Sequence, residues 1–411
     1  MKRLLYAALL GAALITVPTP ALAGSSGVRF ATYNLSLNRA SEGLLREHLA
    51  DPSVDDVYRR QARNVAEVIQ RAAPDVVLIN EFDYDPEAAR LFADNFLAVG
   101  QNGAPAQKYR YRYVAPSNTG ISSGFDLNNN GVIDTTPGDG SYGDDSYGYG
   151  IFPGQYGMVV YSKYPIDYQA IRTFQLFKWK DMPGNLIPAD FYSPEEQAVL
   201  RLSSKSHWDV PIRIGRETVH FLTSHPTPPT FDGAEDRNGR RNHDEIRFWA
   251  DYVTPGGSSR YIYDDRGRRG GLRTGEQFVI AGDQNADPND GDSTGGAVEQ
   301  LLGHPLMSTR VTPDSAGGPE ATTLQGGANL THTGNPAYDT ADFADTAPGN
   351  LRADYVLPRV GLQVRDAGVF WPVQADPLSR LSGVYSPAWS AVGGYPTSDH
   401  RLVWVDLKIR C

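Results

Sequence analysis

Short apolar runs rich in β-branched residues recur along the chain: Val28 to Leu35, Val76 to Asn80, Gly157 to Ser162, Val210 to Ile214, Val219 to Ser224, Gln277 to Ala281, Ala353 to Leu357 and Leu402 to Leu407. Set between Gly- and Pro-rich stretches, they predict strands. Three segments follow a helical period instead. Val57 to Ala72 places Val57, Val65, Val68, Ile69 and Ala72 close to one stripe and stops before Pro74, as a helix does ahead of proline. Asn242 to Val253 repeats the pattern with Ile246, Trp249 and Val253, and Asn242 is available as its N-cap. Pro86 to Ala98 is the third. The expected fold is α/β, with strands that end in polar residues.

Three stretches interrupt this alternation: 116–153, rich in Gly, Asp, Asn, Ser and Tyr; 255–275, rich in Arg and Gly; and 313–349, rich in Thr, Gly and Ala. Loops this long inside a compact fold are usually functional or disordered. With no internal repeat and no clean linker, residues 24–411 are expected to form a single domain carrying three loop insertions.

The polar residues that close the strands carry the chemistry. Glu81 ends the run Val76-Val77-Leu78-Ile79-Asn80, and Asn34 ends Phe30-Ala31-Thr32-Tyr33, where its amide would orient Glu81 or bind a phosphate oxygen. In Gly282-Asp283-Gln284-Asn285 a glycine lets the backbone turn ahead of two polar groups, which point to one face if the chain stays extended. His225 follows one apolar run, and His400, beside Asp399, precedes another. Imidazoles at strand ends suit acid–base or charge-stabilising roles. Together with Asp354 these groups suit holding a hard cation and hydrolysing a phosphoester.

Charge and the N-terminus narrow the setting. The net charge is −10, which disfavours the broad phosphate-backbone attraction of most nucleic-acid binders, although metal ions in a site locally invert the field. Lys2 and Arg3, an apolar stretch from Leu4 to Val17, and Ala21-Leu22-Ala23 read as an export signal spanning residues 1–23, cleaved near Ala23. That apolar stretch is shorter than the ~20 residues needed to cross a bilayer, so a periplasmic or extracellular protein without a transmembrane anchor is expected. Cys411 is the one cysteine, which excludes an intramolecular disulfide and leaves stability to burial, with bound calcium as an added brace.

In this order, Asn34, Asn80-Glu81, Ser224-His225, Gly282-Asp283-Gln284-Asn285, Asp354-Tyr355 and Ser398-Asp399-His400 resemble the endonuclease/exonuclease/phosphatase superfamily, in its deoxyribonuclease and sphingomyelinase-like branch. The resemblance covers Val28 to Leu407 and implies a four-layer αββα sandwich, two mixed β-sheets packed face to face with helices outside. It implies Glu81 as a metal ligand for Mg²⁺ or Mn²⁺, assisted by Asn34 and Asp399. It further implies that Asp283 orients the attacking water, that Asn285, His225 and His400 contact the phosphate, and that Asp354 orients His400. Ser36 stands where abasic-site enzymes carry an acid, and Ser224-His225-Pro226 replaces their Tyr-x-Pro-Asn, which argues against abasic-site repair. Gln284 replaces the usual apolar residue of Gly-Asp-x-Asn and leaves specificity open.

Two further motifs stand apart. Asp126, Asn128, Asn130 and Asp134, with Gly131 at the sixth position, match the first nine positions of a calcium loop. Position twelve is Pro137, so Asp139 or Asp144 would have to close it, and a polar surface loop would look similar. Arg240 and Arg241 lie in an Arg-rich stretch after His225 and suit phosphate recognition, or serve as a solvated charge run.

The expectation is an exported, divalent-metal-dependent phosphoesterase acting on a phosphodiester or phosphomonoester. Its substrate is a small molecule, a nucleic acid or a lipid head group, and no protein partner is implied. Nuclease and sphingomyelinase-like lipid phosphodiesterase are the alternatives among enzymes, and a catalytically silent, calcium-stabilised binding module is the alternative of another class.

Overall fold

The computed structural model describes residues 27–409, so the expected leader at 1–23 and Cys411 lie outside the described residues. In chain order the strands are β1 (Val28–Asn34), β2 (Val76–Asn80), β3 (Tyr111–Tyr113), β4 (Met158–Ser162), β5 (Arg172–Thr173), β6 (Trp208–Ile214), β7 (Glu217–Thr223), β8 (Gln277–Asp283), β9 (Ala341–Asp342), β10 (Asn350–Leu351), β11 (Asp354–Pro358), β12 (Gln363–Val369) and β13 (Val403–Lys408). One sheet has the order β12-β13-β1-β2-β4-β3 and the other β11-β8-β7-β6-β5, while β9 and β10 form a separate ribbon. Each large sheet is mixed: β1 and β2 are parallel in the first and β7 and β8 in the second, with antiparallel neighbours on either side.

Alternate side chains along one strand enter different cores, because successive Cβ atoms point to opposite faces. Phe30, Val76, Leu78 and Val160 of the first sheet meet Val210, Ile212, Phe221, Val279 and Ala281 of the second in a core between the sheets. Phe30 and Phe221 pack across that gap with ring centroids 5.6 Å apart. The intervening residues Ala31, Tyr33, Val77 and Ile79 face outward, onto Val65, Val68, Ile69, Ala88 and Phe92. Those partners belong to helices α2 (Val57–Ala72) and α3 (Pro86–Phe92), which flank α1 (Leu44–Ala50). On the other side Leu222, Phe278, Ile280 and Tyr355 pack on Ile246, Trp249, Tyr252 and Val253. Each fully buried aliphatic or aromatic side chain contributes ~1.5–3 kcal/mol. Burial on both faces explains why the strands read as continuous apolar runs rather than alternating ones. The result is the expected four-layer αββα sandwich.

All eight predicted strands form, within a residue or two at their ends. α2 has the predicted bounds: Asp56 caps its start by accepting from the Arg59 amide, and Ala73 turns left-handed ahead of Pro74. α3 continues as one π-helical turn over Ala93–Leu97. After two short helices, α4 (Gly140–Asp144) and α5 (Pro194–Val199), comes α6 (Arg237–Val253), which begins five residues before the predicted start. Asn242 is therefore not its N-cap. Its buried amide donates instead to the carbonyls of Thr227 and Gln284, tying together the loops that follow β7 and β8. The polar run Arg237-Asn238-Gly239-Arg240-Arg241 hides the helical period of that first turn. β12 escaped prediction because it is an edge strand, mostly exposed and irregular in register between Val364 and Asp366. Among the described residues no helix is long and apolar enough to cross a membrane.

Candidate active site

Topology brings the predicted side chains to one edge of the sandwich. Asn34 and Asn80 pair at the ends of the parallel strands β1 and β2. β11 runs antiparallel to β8, so its first residue, Asp354, lies opposite the last residue of β8, Asp283. β13 runs back along β1, which places Asp399 and His400, just ahead of it, where β1 ends. The two sheets touch at this edge: Asn34 Nδ2 donates to Asp283 Oδ2 at 3.1 Å, and the Asp283 amide reaches Asn80 Oδ1 at 3.4 Å.

Asp283 Oδ2 also lies 3.4 Å from His225 Nε2 and 3.6 Å from His400 Nε2. On its far side, His400 Nδ1 lies 2.8 Å from Asp354 Oδ2, which also accepts from the Thr340 hydroxyl at 2.9 Å. All four groups, His225, Asp283, Asp354 and His400, are buried. Burial disfavours the charged imidazolium of His400, but Asp354 and Asp283 outweigh it and hold its pKa well above 6.5. For His225, burial and the positive charges of Lys205 and His400 act together and push it well below 6.5. Two imidazoles beside one carboxylate oxygen are therefore shifted in opposite directions. Burial raises Asp283 to about 6 against the opposing pull of His400.

Glu81 sits just past β2 with φ of +55°, a left-handed conformation that costs a non-glycine residue and tends to persist at functional sites. Tyr156, close enough to feel the Glu81 charge, has φ of +58°. Burial, then the nearby charge of Asp399, raises the Glu81 carboxyl to about 7, with His400 and a hydrogen bond from Asn34 pulling the other way. Asn34 thus serves Glu81 and Asp283 at once, and its own Oδ1 accepts from the Ser36 amide. Asp399 Oδ1 accepts from the Ser36 hydroxyl at 3.1 Å.

Two sets of groups could hold a cation. Asp283, Asp354 and His400 offer ligand atoms all within 4.8 Å of one another, the one such group among the described residues. These three groups form a possible acidic and imidazole metal site. Glu81 and Asp399 are the second set: burial, and after it the charge of Asp399, raise Glu81, and a divalent ion would offset that repulsion.

Most of the other predicted residues have contacts of their own. Asn285 turns left-handed, φ +50°, rather than continuing extended, because its amide closes a turn onto Asp283 Oδ1 at 2.9 Å. Its side chain then donates to the Pro226 carbonyl at 3.1 Å. Arg241 donates from its guanidinium to the carbonyls of Leu202, Tyr147 and Arg201, which braces those loops. Arg240 has no hydrogen bond or ion pair from its side chain among the described residues. Gln284 is wholly buried and turned toward Ser224, which takes a second bond from Trp249. In the 126–134 loop, Asp126 accepts from the amides of Asn130 and Gly131, Asn128 from Asn130, Asn130 from Val132, and Asp134 from Thr136. Asn128 also reaches Asp144, 3.3 Å away.

Three residues of the site had no legible signal in the chain. Thr340 binds Asp354, and Phe343 packs edge-on against the His400 ring, both from the 313–349 stretch, which bridges to the last strand's approach at Ala341 and His400. Lys205 is only 7 % exposed, yet among the described residues its ammonium has no hydrogen bond and no carboxylate within ion-pair distance. Burial lowers its pKa against the pull of Glu245, Glu81 and Asp283. A largely buried cation with no pairing partner carries a desolvation cost that a bound anion would offset.

The sequence profile described as the Endonuclease/Exonuclease/phosphatase family matches residues 31–400. Among solved structures, an endonuclease/exonuclease/phosphatase from Beutenbergia cavernae is 19 % identical with a TM-score of 0.48, the match covering 93 % of this chain and 71 % of that one. Sphingomyelinase C from Streptomyces griseocarneus is 17 % identical with a TM-score of 0.41, over 93 % of this chain and 99 % of that one. Beta toxin from Staphylococcus aureus, in a variant with bound magnesium ions, is 13 % identical with a TM-score of 0.45, over 93 % and 100 %. No curated protein matches the chain. The family profile spans every strand-end motif from Asn34 to His400, and the chain belongs to the endonuclease/exonuclease/phosphatase family of metal-dependent phosphoesterases.

Proposed function

We propose that this protein is an exported phosphoesterase that uses a divalent cation and in-line attack of water on a phosphodiester or phosphomonoester. The observation that carries the reading is the single Asp283 oxygen shared by His225, His400 and Asn34. Asp283 positions the water and receives its proton as the new P–O bond forms and the ester P–O bond breaks. His400, kept charged by Asp354, stabilises the negative charge on the phosphoryl oxygens. Asn285 and neutral His225 frame the same oxygens, and Lys205 supplies the buried cation that anchors the phosphate. Glu81 and Asp399 would hold Mg²⁺ or Mn²⁺, which would contribute charge neutralisation at the leaving oxygen. The loop formed by Asp126, Asn128, Asn130 and Asp134 is assigned a separate Ca²⁺.

The test is hydrolysis of bis(p-nitrophenyl) phosphate, p-nitrophenyl phosphate, plasmid DNA and sphingomyelin by the purified protein, with and without chelator. Chelator-sensitive turnover of at least one, lost in Glu81→Ala and His400→Ala, supports the reading. Inactivity on all four with thermal stabilisation by Ca²⁺ replaces it with the binding module.

A further inference from the structure

On the outer helical layer, away from the catalytic carboxylates, a cavity of about 470 Å³ opens between α2, the 101–102 turn and the 380–396 segment. Its size falls within the ~300–1,000 Å³ typical of small-molecule sites. Three arginines line it, Arg60, Arg63 and Arg380, and no carboxylate does, in a chain whose net charge is −10. The two acids that touch these guanidinium groups are already shared. Asp55 lies 3.1 Å from Arg63 and 3.9 Å from Arg60, and fully buried Glu67 serves both Arg71 and Arg380. Arg63 also donates to the carbonyls of Pro52 and Val54, and Arg60 to that of Asp56, but carbonyls carry no net charge, and four arginines against two carboxylates leave positive charge for a ligand.

The other walls say what else that ligand carries. The Trp389 ring, with Arg60 5.7 Å from its centroid, presents a planar surface. Asn64, Gln101 and Asn102 also line the cavity, and each has its amide N–H group bonded to protein oxygen: Pro396, Phe96 and Val99, and Glu67 respectively. Among the described residues no protein donor reaches their side-chain carbonyl oxygens, which remain as hydrogen-bond acceptors. Guanidinium groups for a phosphate, an indole for a ring and acceptors for an amino group together describe one chemistry.

We propose that this cavity binds a nucleotide unit whose base carries an exocyclic amino group, with its phosphate on Arg60 and Arg63 and its base against Trp389. The site is mechanically joined to the catalytic edge. Gln61, beside Arg60, donates to the carbonyls of Ser36 and Thr397, and Pro396, which lines the cavity, lies three residues before Asp399. The unit is either a free nucleotide or one position of a strand that continues to Lys205. The second source rests on the phosphoesterase reading and the first does not.

The test is direct binding to the full-length protein in EDTA, where hydrolysis plays no part, by calorimetry with AMP, UMP, inorganic phosphate and a single-stranded octanucleotide. AMP should bind saturably and at least tenfold more tightly than UMP or phosphate. Arg60→Ala combined with Arg63→Ala, or Trp389→Ala, should weaken it at least tenfold with melting temperature unchanged; Arg60→Ala alone gives the same readout if the pair unfolds. An octanucleotide at least tenfold tighter than AMP identifies the strand, and equal affinity the free nucleotide. No saturable AMP binding, AMP binding insensitive to these substitutions, or equal binding of phosphate overturns the proposal.

Discussion

The catalytic edge and the 126–134 loop are built from the same residue types, acids and amides, and satisfy them in opposite ways. In the loop each side chain folds back onto an amide two to five residues ahead. At the catalytic edge partners lie far apart in sequence: Asn34 with Asp283, His400 with Asp354. The loop's arrangement is a local turn habit of Asx residues. The edge's arrangement exists only because six strands deliver their ends to one place, and there burial drives the protonation states apart. Identical functional groups therefore carry different chemistry according to whether their partners are local or remote.

The sharpest break of that comparison is Asp283→Asn or His400→Ala. Turnover of a generic phosphodiester should fall by ~10³-fold or more, as for loss of a transition-state group, with the melting temperature preserved. Retained turnover in both variants would place the chemistry elsewhere. Lys205→Met should cost ~10²-fold, as loss of a charged contact to the phosphate does, mostly in KM if it anchors the ground state. Lys205→Arg should restore much of it, whereas a purely structural lysine would lower stability in both variants alike. At the loop, millimolar Ca²⁺ should raise the melting temperature by about 3 °C or more. Asp126→Ala should abolish that rise and leave kcat alone, while an equal rise in both proteins would strike the loop from the calcium reading.

The smallest effect lies at a histidine–carboxylate pair away from both regions. Burial disfavours charge on His220, but Asp209, 2.7 Å away, more than compensates, and the net pKa is raised above 6.5. A raised folded pKa means the contribution is complete below about pH 6.5 and is lost as pH rises through the folded value. Wild-type melting temperature should decline over that rise, and His220→Gln should flatten the decline.

The comparison also explains what was legible. The main strands of both sheets and α2 could be read directly, since each is a local pattern of apolar period. The side chains of the catalytic edge were readable as strand endings, and the family resemblance supplied their grouping. The bends were not: Asn285 turns left-handed to close on Asp283, Arg241 is consumed by carbonyls, and α6 starts within a polar run. Lys205 was invisible because a lysine among serines carries no periodic signal, and only its burial without a partner singles it out. Thr340 and Phe343 lie in an insertion with little apolar periodicity.

The amino-acid order alone determined the eight main strands and α2, because hydrophobic period and turn residues act over a few positions. It also determined which polar groups stand at strand ends. Only the tertiary structure decided which of those groups meet, which imidazole is charged and which cation is left unpaired. Those properties depend on distances and burial between residues hundreds of positions apart, and no local pattern encodes them.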